Sequence, residues 1–302
     1  MLAIIAPGQG SQSPGMLSSW ITDPALGQLL KQWSTDIDLD LVRLGTTAAA
    51  EEIKDTANAQ PLIVATSLLA DHALGLKSYA VVSGHSVGEL TAAALCGAIT
   101  DTDALQLVRA RGIEMAKAAA VSPTGMSAVL GGQRSEVLAV IQALDLVAAN
   151  ENGGGQIVAA GDLTSLAALA ANPPAGARVR ALAIAGAFHT SYMSSAVAPL
   201  ADLAASIDLS RPWLPFISNK DGAALSDAGD ILARIVNQIA NPVRWDLCMD
   251  TLKTMGVTGV IELAPAGTLV GLLKRAVPEI ESFALKSAAD IDAAREFAGR
   301  HA

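Results

Sequence analysis

A serine enclosed by glycines is the residue in this sequence best suited to covalent chemistry. Residues 84–88 are Gly-His-Ser-Val-Gly; they follow Val81 and Val82 and lead into alanine-rich sequence that favours a helix. A strand, a tight turn and a helix in this order expose the apex side chain, and the helix start directs backbone N–H groups towards its oxygen. The segment therefore predicts Ser86 as a nucleophile. A plain strand-to-helix turn is the alternative, because the pattern G-x-S-x-G also arises by chance.

A serine nucleophile needs a base, and His189 is the best candidate by position. The sequence contains four histidines; His72 falls in the middle of a predicted helix, His85 is adjacent to the serine, and His301 is in the C-terminal tail. Serine hydrolases and transferases often take their histidine from a later loop, which fits the position of His189. A structural or solvated role is the alternative for any isolated histidine.

Two other segments contain side chains that could contact a substrate. Gln9 lies between two glycines directly after the predicted strand of residues 3–6, which suits a loop held close to another group, although a simple strand-ending turn also fits. Arg109 and Arg111 lie two positions apart on a predicted helix of residues 101–120, so they point to different faces. A single arginine on a helix is usually solvated, and we expect only one of these two to act in a site.

The elements that must position these residues predict an α/β protein with an inserted subdomain. The pair Gln60-Pro61 opens a predicted helix of residues 62–74, which precedes the nucleophile strand. From residue 122 to 184 the pattern changes to strand, helix, two strands around a glycine-rich loop, helix and strand, which is the ferredoxin-like βαββαβ order. We therefore expect a small ferredoxin-like subdomain at 122–184 and a larger α/β body formed by 1–121 and 185–302.

Composition excludes several classes of protein. The 302-residue chain is 51% apolar but only 3% aromatic, which predicts an aliphatic core, and its net charge of -9 argues against nucleic acid as a partner. Cys96 and Cys248 are too few for a disulfide framework, and the spacing of the histidines and cysteines fits no metal motif. The sequence shows no signal-peptide pattern and no apolar stretch of membrane-spanning length, so we expect a soluble cytoplasmic protein without membrane partners.

Seven short segments, spread over nearly the whole chain, resemble the malonyl-CoA:acyl carrier protein transacylases of bacterial fatty-acid synthesis. The segments are residues 7–12 (PGQGSQ), 84–89 (GHSVGE), 111–112 (RG), 152–158 (NGGGQIV), 186–189 (GAFH), 238–243 (QIANPV) and 263–267 (LAPAG). Each is a weak signal alone, but together in this order they are specific. The resemblance implies an α/β-hydrolase-like large subdomain that carries a ferredoxin-like (βαββαβ) small subdomain, in agreement with the element order.

The resemblance also implies a catalytic role for each matching residue. Ser86 corresponds to the nucleophile and His189 to its base. The backbone carbonyl of Gln238 corresponds to the group that orients the histidine. Gln9, together with the backbone N–H of Val87, corresponds to the oxyanion hole. Such donors stabilise the negative charge that develops on the carbonyl oxygen under attack.

Two matching positions concern the acyl group. Arg111 corresponds to a clamp for the malonyl carboxylate, which a guanidinium grips with two parallel hydrogen bonds and a lysine cannot. Phe188 before the histidine and Val87 after the serine are typical of acyltransferases that select malonyl, whereas those that select methylmalonyl tend to have Ser and Gln there. A phenyl ring beside the acyl pocket leaves little room for the extra methyl, a discrimination of about 1–3 kcal/mol.

The implied reaction moves malonyl from malonyl-CoA to the phosphopantetheine thiol of holo acyl carrier protein through a malonyl-serine ester. It needs no cofactor, and we expect a monomer that binds its carrier transiently. Three alternatives stay open: an acyltransferase serving a polyketide synthase or a malonate decarboxylase, an esterase or thioesterase, and a non-catalytic scaffold that docks carrier proteins. Arg111 argues against a general esterase, and the intact set of Ser86, His189 and Gln9 argues against the scaffold.

Overall fold

The computed structural model describes residues 1–302 except the side chain of Ala185. The strands are β1 Leu2–Ala6, β2 Val81–Gly84, β3 Thr124–Gly131, β4 Val147–Gly153, β5 Gln156–Asp162, β6 Ala177–Ala185, β7 Phe216–Ile217, β8 Ala224–Leu225, β9 Val243–Arg244, β10 Gly259–Glu262 and β11 Glu281–Ala284. The α-helices are α1 Pro24–Asp36, α2 Leu41–Thr46, α3 Thr56–Leu74, α4 Gly88–Leu95, α5 Asp101–Ala119, α6 Arg134–Ala143, α7 Leu163–Ala171, α8 Val197–Ala204, α9 Ala228–Gln238, α10 Trp245–Thr254, α11 Thr268–Ala276 and α12 Ile291–His301. None of the helices in the described residues is both long and apolar enough to cross a membrane.

The larger sheet has the strand order β11-β10-β1-β2-β7-β8, and all neighbours are parallel except β7 and β8. All residues of β1, β2 and β10 are buried, as expected for short strands covered by helices on both faces. The register pairs Ala6 with Gly84 and Ser83 with Ile217. The loops that follow β1, β2 and β7 therefore leave the sheet side by side, at the edge where ligands bind in open parallel sheets.

The smaller sheet has the strand order β6-β3-β5-β4-β9. The element sequence β3-α6-β4-β5-α7-β6 is the predicted ferredoxin-like order, and its four strands pair antiparallel. The fifth strand, β9, comes from the C-terminal half of the chain and pairs parallel to β4 at Asn150 and Glu151. The sequence analysis did not foresee this strand. The division of the chain at residues 122 and 184 stays a prediction.

The start of α3 differs from the prediction. The helix begins at Thr56, with Asp55 as its N-cap, so Pro61 lies inside it and does not open it. Proline lacks an N–H and leaves the carbonyl four residues earlier, that of Ala57, without its helical donor. Arg109 of α5 donates to this carbonyl from Nη1 at 3.0 Å. A partner on a neighbouring helix thus compensates for the missing bond and lets α3 continue through the proline.

The turn between β2 and α4 depends on two glycines without room for a side chain. A Cβ on Gly84 would lie 2.0 Å from the carbonyl carbon of Gly88, and a Cβ on Gly88 would lie 2.3 Å from the carbonyl oxygen of Ala6. The first turn of α4 therefore packs directly on the ends of β1 and β2. The apex residue, Ser86, has φ +53°, a conformation that L-residues other than glycine rarely adopt.

We expect Gly84→Ala to lower the free energy of unfolding by about 3 kcal/mol, because the new methyl group meets backbone atoms that cannot move independently. The matched control is Gly299→Ala in α12, where a Cβ would meet no described atom within 4 Å. The control should be neutral or more stable by up to about 1 kcal/mol, since alanine favours helix. Urea unfolding of both variants measures the difference. Equal stability of the two would show that the turn tolerates a side chain.

Candidate active site

Ser86 stands at the apex of the turn, with its side chain half-buried. Its backbone N–H donates to Asn219 Oδ1 at 2.8 Å, and Asn219 in turn donates from Nδ2 to the carbonyl of Gly84 at 2.7 Å. These two bonds join the loop after β7 to the turn after β2. They hold the strained backbone of Ser86, whose positive φ costs on the order of 1–3 kcal/mol.

His189 lies within hydrogen-bond distance of the serine. Ser86 Oγ is 2.7 Å from His189 Nε2, and His189 Nδ1 is 2.8 Å from the backbone carbonyl of Gln238. A carbonyl can only accept, so Nδ1 carries the proton and Nε2 is left to accept the serine proton. Like Ser86, His189 has a positive φ, of +63°. The arrangement provides a serine and an oriented base without a carboxylate in contact with the histidine.

The surroundings keep the imidazole of His189 neutral. Burial, together with the smaller effect of the positive charge of Arg111, lowers the pKa of His189 to about 3, although the carbonyl of Gln238 partly opposes both. A neutral imidazole is the form that can accept a proton. The base is therefore available at neutral pH and well below it.

Arg111 is a buried cation that approaches the same serine oxygen. Its Nη2 donates to Ser86 Oγ at 3.3 Å and to Gln238 Oε1 at 3.1 Å, and its Nη1 donates to Gln60 Oε1 at 2.5 Å. Burial lowers the pKa of Arg111 to about 10, so the group stays charged at neutral pH. It forms no salt bridge with any described residue, and its Nε is buried without a partner among them. Such a cation favours an anionic ligand beside Ser86.

Arg109 occupies the other side of the same helix, as expected from the two-residue spacing. It contacts the carbonyl of Ala57, whereas Arg111 faces the serine. Gly112 allows α5 to lie close to α3, because a Cβ there would be 2.9 Å from the carbonyl oxygen of Thr56. This close approach lets Gln60 of α3 reach the guanidinium.

Gln9 follows β1, in the loop that runs beside the serine turn. The preceding Gly8 approaches His85 so closely that a Cβ would lie 2.8 Å from the carbonyl oxygen of His85. The side chain of Gln9 donates to Thr56 Oγ1 at 3.2 Å. The backbone N–H groups of Gln9 and Val87 donate to no acceptor in the described part of the chain. Both amides are thus free to bind an oxygen of a substrate.

The remaining histidines are bound elsewhere. His85 Nε2 is 2.9 Å from Asn152 Oδ1 of β4, and the ring packs edge-on against Trp245. His72 pairs with Asp101, and His301 contacts Thr258. His189 is therefore the histidine that contacts Ser86. Within the described residues, no group of three or more His, Cys, Asp or Glu side chains could hold a metal ion.

Phe188 is buried in the main hydrophobic core. Its ring packs against Gly186, where a Cβ would lie 3.0 Å from the ring carbon Cε1. The residue thus fixes the backbone immediately before His189. Its predicted role in choosing the acyl group stays a prediction.

The sequence analysis missed a buried polar network behind the serine. Glu89 accepts from the backbone N–H of Asn219 at 2.5 Å and from Gln238 Nε2 at 2.6 Å, and burial raises the pKa of its carboxyl to about 8. Asn219 lies in the loop after β7, whose end is next to the serine turn. The side-chain contacts of Gln60 with Arg111 had no signal in the sequence.

A cavity of about 790 Å³ opens between α9 and the smaller sheet. Its lining includes Gln238, the cations Lys220, Arg234 and Arg244, and Glu151 of β4. The volume is typical of a site for a small molecule or cofactor. Gln238 of this lining also contacts Arg111 and His189, whereas Ser86, His189 and Arg111 do not line the cavity.

The chain is similar to known proteins over nearly its whole length. The acyl transferase domain family matches residues 4–296. The malonyl CoA-acyl carrier protein transacylase of Mycobacterium tuberculosis strain H37Rv is 52% identical over 297 residues, which cover 97% of this chain and 98% of the relative.

Solved structures give the same result for the fold. The crystal structure of MCAT from Mycobacterium tuberculosis superposes with a TM-score of 0.95 at 51% identity and covers 97% of this chain and 99% of that one. A malonyl-transacylase in complex with a type II PKS acyl-carrier protein has a TM-score of 0.91 at 29% identity. The match covers 98% of this chain and 99% of that one. These matches confirm the predicted fold class.

The low pKa of His189 predicts an unusual pH dependence for the reactivity of Ser86. We expect the rate of labelling by phenylmethylsulfonyl fluoride, a neutral reagent, to change less than twofold between pH 8 and pH 5. A histidine with an ordinary pKa of 6.5 would lose about 30-fold over that range, because its neutral fraction falls as pH falls. Intact mass against time measures the rate. In Arg111→Ala the pH at which labelling slows should rise, because the substitution removes a charge that lowers the pKa of His189. Half-loss near pH 6.5 in the unsubstituted protein would contradict the assignment.

Proposed function

The chain belongs to the acyl transferase domain family and within it to the malonyl CoA-acyl carrier protein transacylases, and on this basis we propose that it transfers malonyl from malonyl-CoA to the phosphopantetheine thiol of an acyl carrier protein. One observation carries the proposal. A single oxygen, Ser86 Oγ, lies 2.7 Å from the neutral base His189 and 3.3 Å from the buried cation Arg111. A nucleophile, a base and an anion clamp at one point suit an acyl group that has a free carboxylate.

In the first half-reaction the enzyme takes the acyl group. His189 Nε2 accepts the proton of Ser86 as Oγ attacks the thioester carbonyl, and the oxyanion accepts from the backbone N–H groups of Gln9 and Val87. The intermediate collapses with cleavage of the carbon–sulfur bond. His189 then gives its proton to the departing CoA sulfur, which leaves a malonyl ester on Ser86 and a neutral imidazole.

In the second half-reaction the carrier protein takes the malonyl group. His189 accepts the proton of the phosphopantetheine thiol, whose sulfur attacks the ester carbonyl. The carbon–oxygen bond to Ser86 breaks, and His189 returns the proton to Oγ. The carbonyl of Gln238 accepts a hydrogen bond from His189 Nδ1 in every step. The proton on Nδ1 therefore stays in place, and only Nε2 gains and loses a proton.

Arg111 gives the reaction its preference for a dicarboxylic acyl group. The guanidinium is held by two neutral amides and retains an unpartnered Nε, so the malonyl carboxylate is the anion that completes its set of partners. A hydrolase for neutral esters has no use for a buried cation at this position. The predicted preference for malonyl over methylmalonyl rests on Phe188 and Val87.

The carrier protein and the pathway form the second part of the proposal. We propose that the carrier and the CoA ester approach Ser86 from the side of the cavity between α9 and the smaller sheet, where Lys220 is a cation without a salt bridge to any described residue, since both ligands are anionic. Malonyl supply for fatty-acid synthesis is favoured by the relative that is 52% identical. The known complex of a malonyl-transacylase with a polyketide carrier makes a polyketide role the second candidate. A cytoplasmic monomer remains our expectation.

Ser86→Ala tests the covalent step. We expect the unsubstituted protein to gain one malonyl group after incubation with malonyl-CoA and to lose it to a suitable holo carrier protein. The variant should do neither, because it lacks the attacking oxygen. Intact mass spectrometry of enzyme and carrier follows both transfers, and a panel of fatty-acid and polyketide carriers separates the two candidate pathways. An undiminished adduct in Ser86→Ala would refute the role of this serine.

Arg111→Ala tests the carboxylate clamp. We expect acylation by malonyl-CoA to fall at least about tenfold, the effect of losing one charge-assisted hydrogen bond, and acylation by acetyl-CoA to fall less. Arg109→Ala is the matched control on the same helix, and its ratio of malonyl to acetyl acylation should equal that of the unsubstituted protein. Equal losses for both acyl groups in Arg111→Ala would assign this residue a structural role.

A further inference from the structure

A buried carboxyl group behind the nucleophile has no part in the reaction described above. Glu89 lies in the first turn of α4, three residues after Ser86, and is 1% exposed. Each of its oxygens accepts one hydrogen bond: Oε1 from the backbone N–H of Asn219 at 2.5 Å and Oε2 from Gln238 Nε2 at 2.6 Å. The first donor is main chain and cannot turn away. The second belongs to an amide that could face either way.

The amide of Gln238 is held in one orientation. Its Nε2 faces three acceptors, Glu89 Oε2 at 2.6 Å, Asn219 Oδ1 at 3.1 Å and the carbonyl of Ser86 at 3.3 Å, and its Oε1 faces Arg111 Nη2 at 3.1 Å. The reversed amide would place an oxygen against three acceptors and an NH2 group against a guanidinium. The contact with Glu89 is the shortest of the four.

We propose that Glu89 is a positioning residue for recognition of the malonyl carboxylate: it fixes the amide of Gln238, and this amide aims the guanidinium of Arg111. The inference rests on the proposed function, because it assigns to Arg111 the task of binding the acyl carboxylate. Glu89 touches neither the substrate nor the reacting atoms. It acts through a neutral side chain placed between two groups that can carry opposite charges.

The interposed amide explains why Arg111 stays available. A carboxylate in direct contact would occupy two guanidinium nitrogens and leave little for a substrate. With Gln238 between them, Glu89 does not occupy the guanidinium, which is bound only by Gln60, Gln238 and the serine oxygen. Its Nε remains without a partner among the described residues. The cation is thereby oriented but not neutralised.

Glu89→Gln tests the inference. The amide oxygen of the substituted side chain accepts the hydrogen bond from the main-chain N–H of Asn219. Its NH2 group then faces Gln238 Nε2, which is also a donor. The amide of Gln238 must then shift or reverse, and Arg111 loses its acceptor. We expect the rate of acylation by malonyl-CoA to fall about tenfold relative to the rate of labelling by phenylmethylsulfonyl fluoride, which has no carboxylate. Intact mass against time gives both rates.

Two further variants make the result decisive. Gln238→Met removes the amide but keeps the backbone carbonyl that binds His189, so it should also lower the ratio of the acylation rate to the labelling rate. The double variant of Glu89→Gln and Gln238→Met should lower this ratio no further than the larger of the two single effects. Glu262→Gln is the matched control: this buried glutamate accepts three backbone N–H groups at the start of α11, and its loss should leave the ratio unchanged.

The outcomes separate this inference from the proposed function. If the unsubstituted protein gains no malonyl ester, the proposed function fails. If it gains the ester and Glu89→Gln lowers both rates equally, or the two single effects multiply in the double variant, Glu89 is structural and the inference is overturned. If Glu89→Gln does not fold, Gln238→Met decides alone, because an unchanged ratio there excludes any relay through this amide.

Discussion

The conformation of Ser86 depends on how closely the first turn of α4 approaches the ends of β1 and β2. Gly84 and Gly88 permit this approach, and its consequence is the positive φ of Ser86, which turns the side chain out of the sheet. The strained backbone of Ser86 persists because several neighbouring groups hold it in place. Asn219 holds the serine N–H, and Gly8 lets the loop after β1 lie against His85. The same constraint thus places Ser86 and the two free backbone amides to which the proposed mechanism assigns the oxyanion.

A second constraint is the cost of burying Arg111. A guanidinium removed from water must find hydrogen-bond acceptors, and those it finds are amides from two different helices, Gln60 of α3 and Gln238 of α9. The contact with Gln60 requires α3 and α5 to lie close together, which Gly112 permits. The position of the cation is therefore a property of helix packing. A carboxylate ligand would recover part of the cost, so the proposed recognition of the substrate depends on the architecture.

Features with a local cause could be predicted from the sequence. The strand, turn and helix around Ser86 follow from glycines and β-branched residues at fixed spacing, and the ferredoxin-like order of β3 to β6 follows from alternating apolar patterns. The predicted start of α3 was wrong because a distant side chain, Arg109, satisfies the carbonyl that Pro61 leaves free. The two-residue strand β9 is too short to produce a pattern.

The buried network was inaccessible from the sequence for a different reason. Glutamine and asparagine occur both on surfaces and in cores. The role of such a side chain depends on which donors and acceptors the fold brings within hydrogen-bond distance. Gln238 illustrates this. The sequence resemblance implied only its backbone carbonyl, whereas its side chain joins Glu89 to Arg111. Such links connect residues more than a hundred positions apart, so no local pattern encodes them.

The two functional groups around Ser86 also influence one another through their charges. The positive charge of Arg111 adds to burial in lowering the pKa of His189, which keeps the imidazole neutral but makes it a weak base. A carboxylate bound to Arg111 cancels much of this charge at close range. The pKa of His189 then rises towards the range where it accepts the serine proton more readily. An acetyl group brings no such charge. The proposed clamp would thus give a preference for malonyl two physical sources, a direct ion pair with Arg111 and a base that strengthens when that ion pair forms.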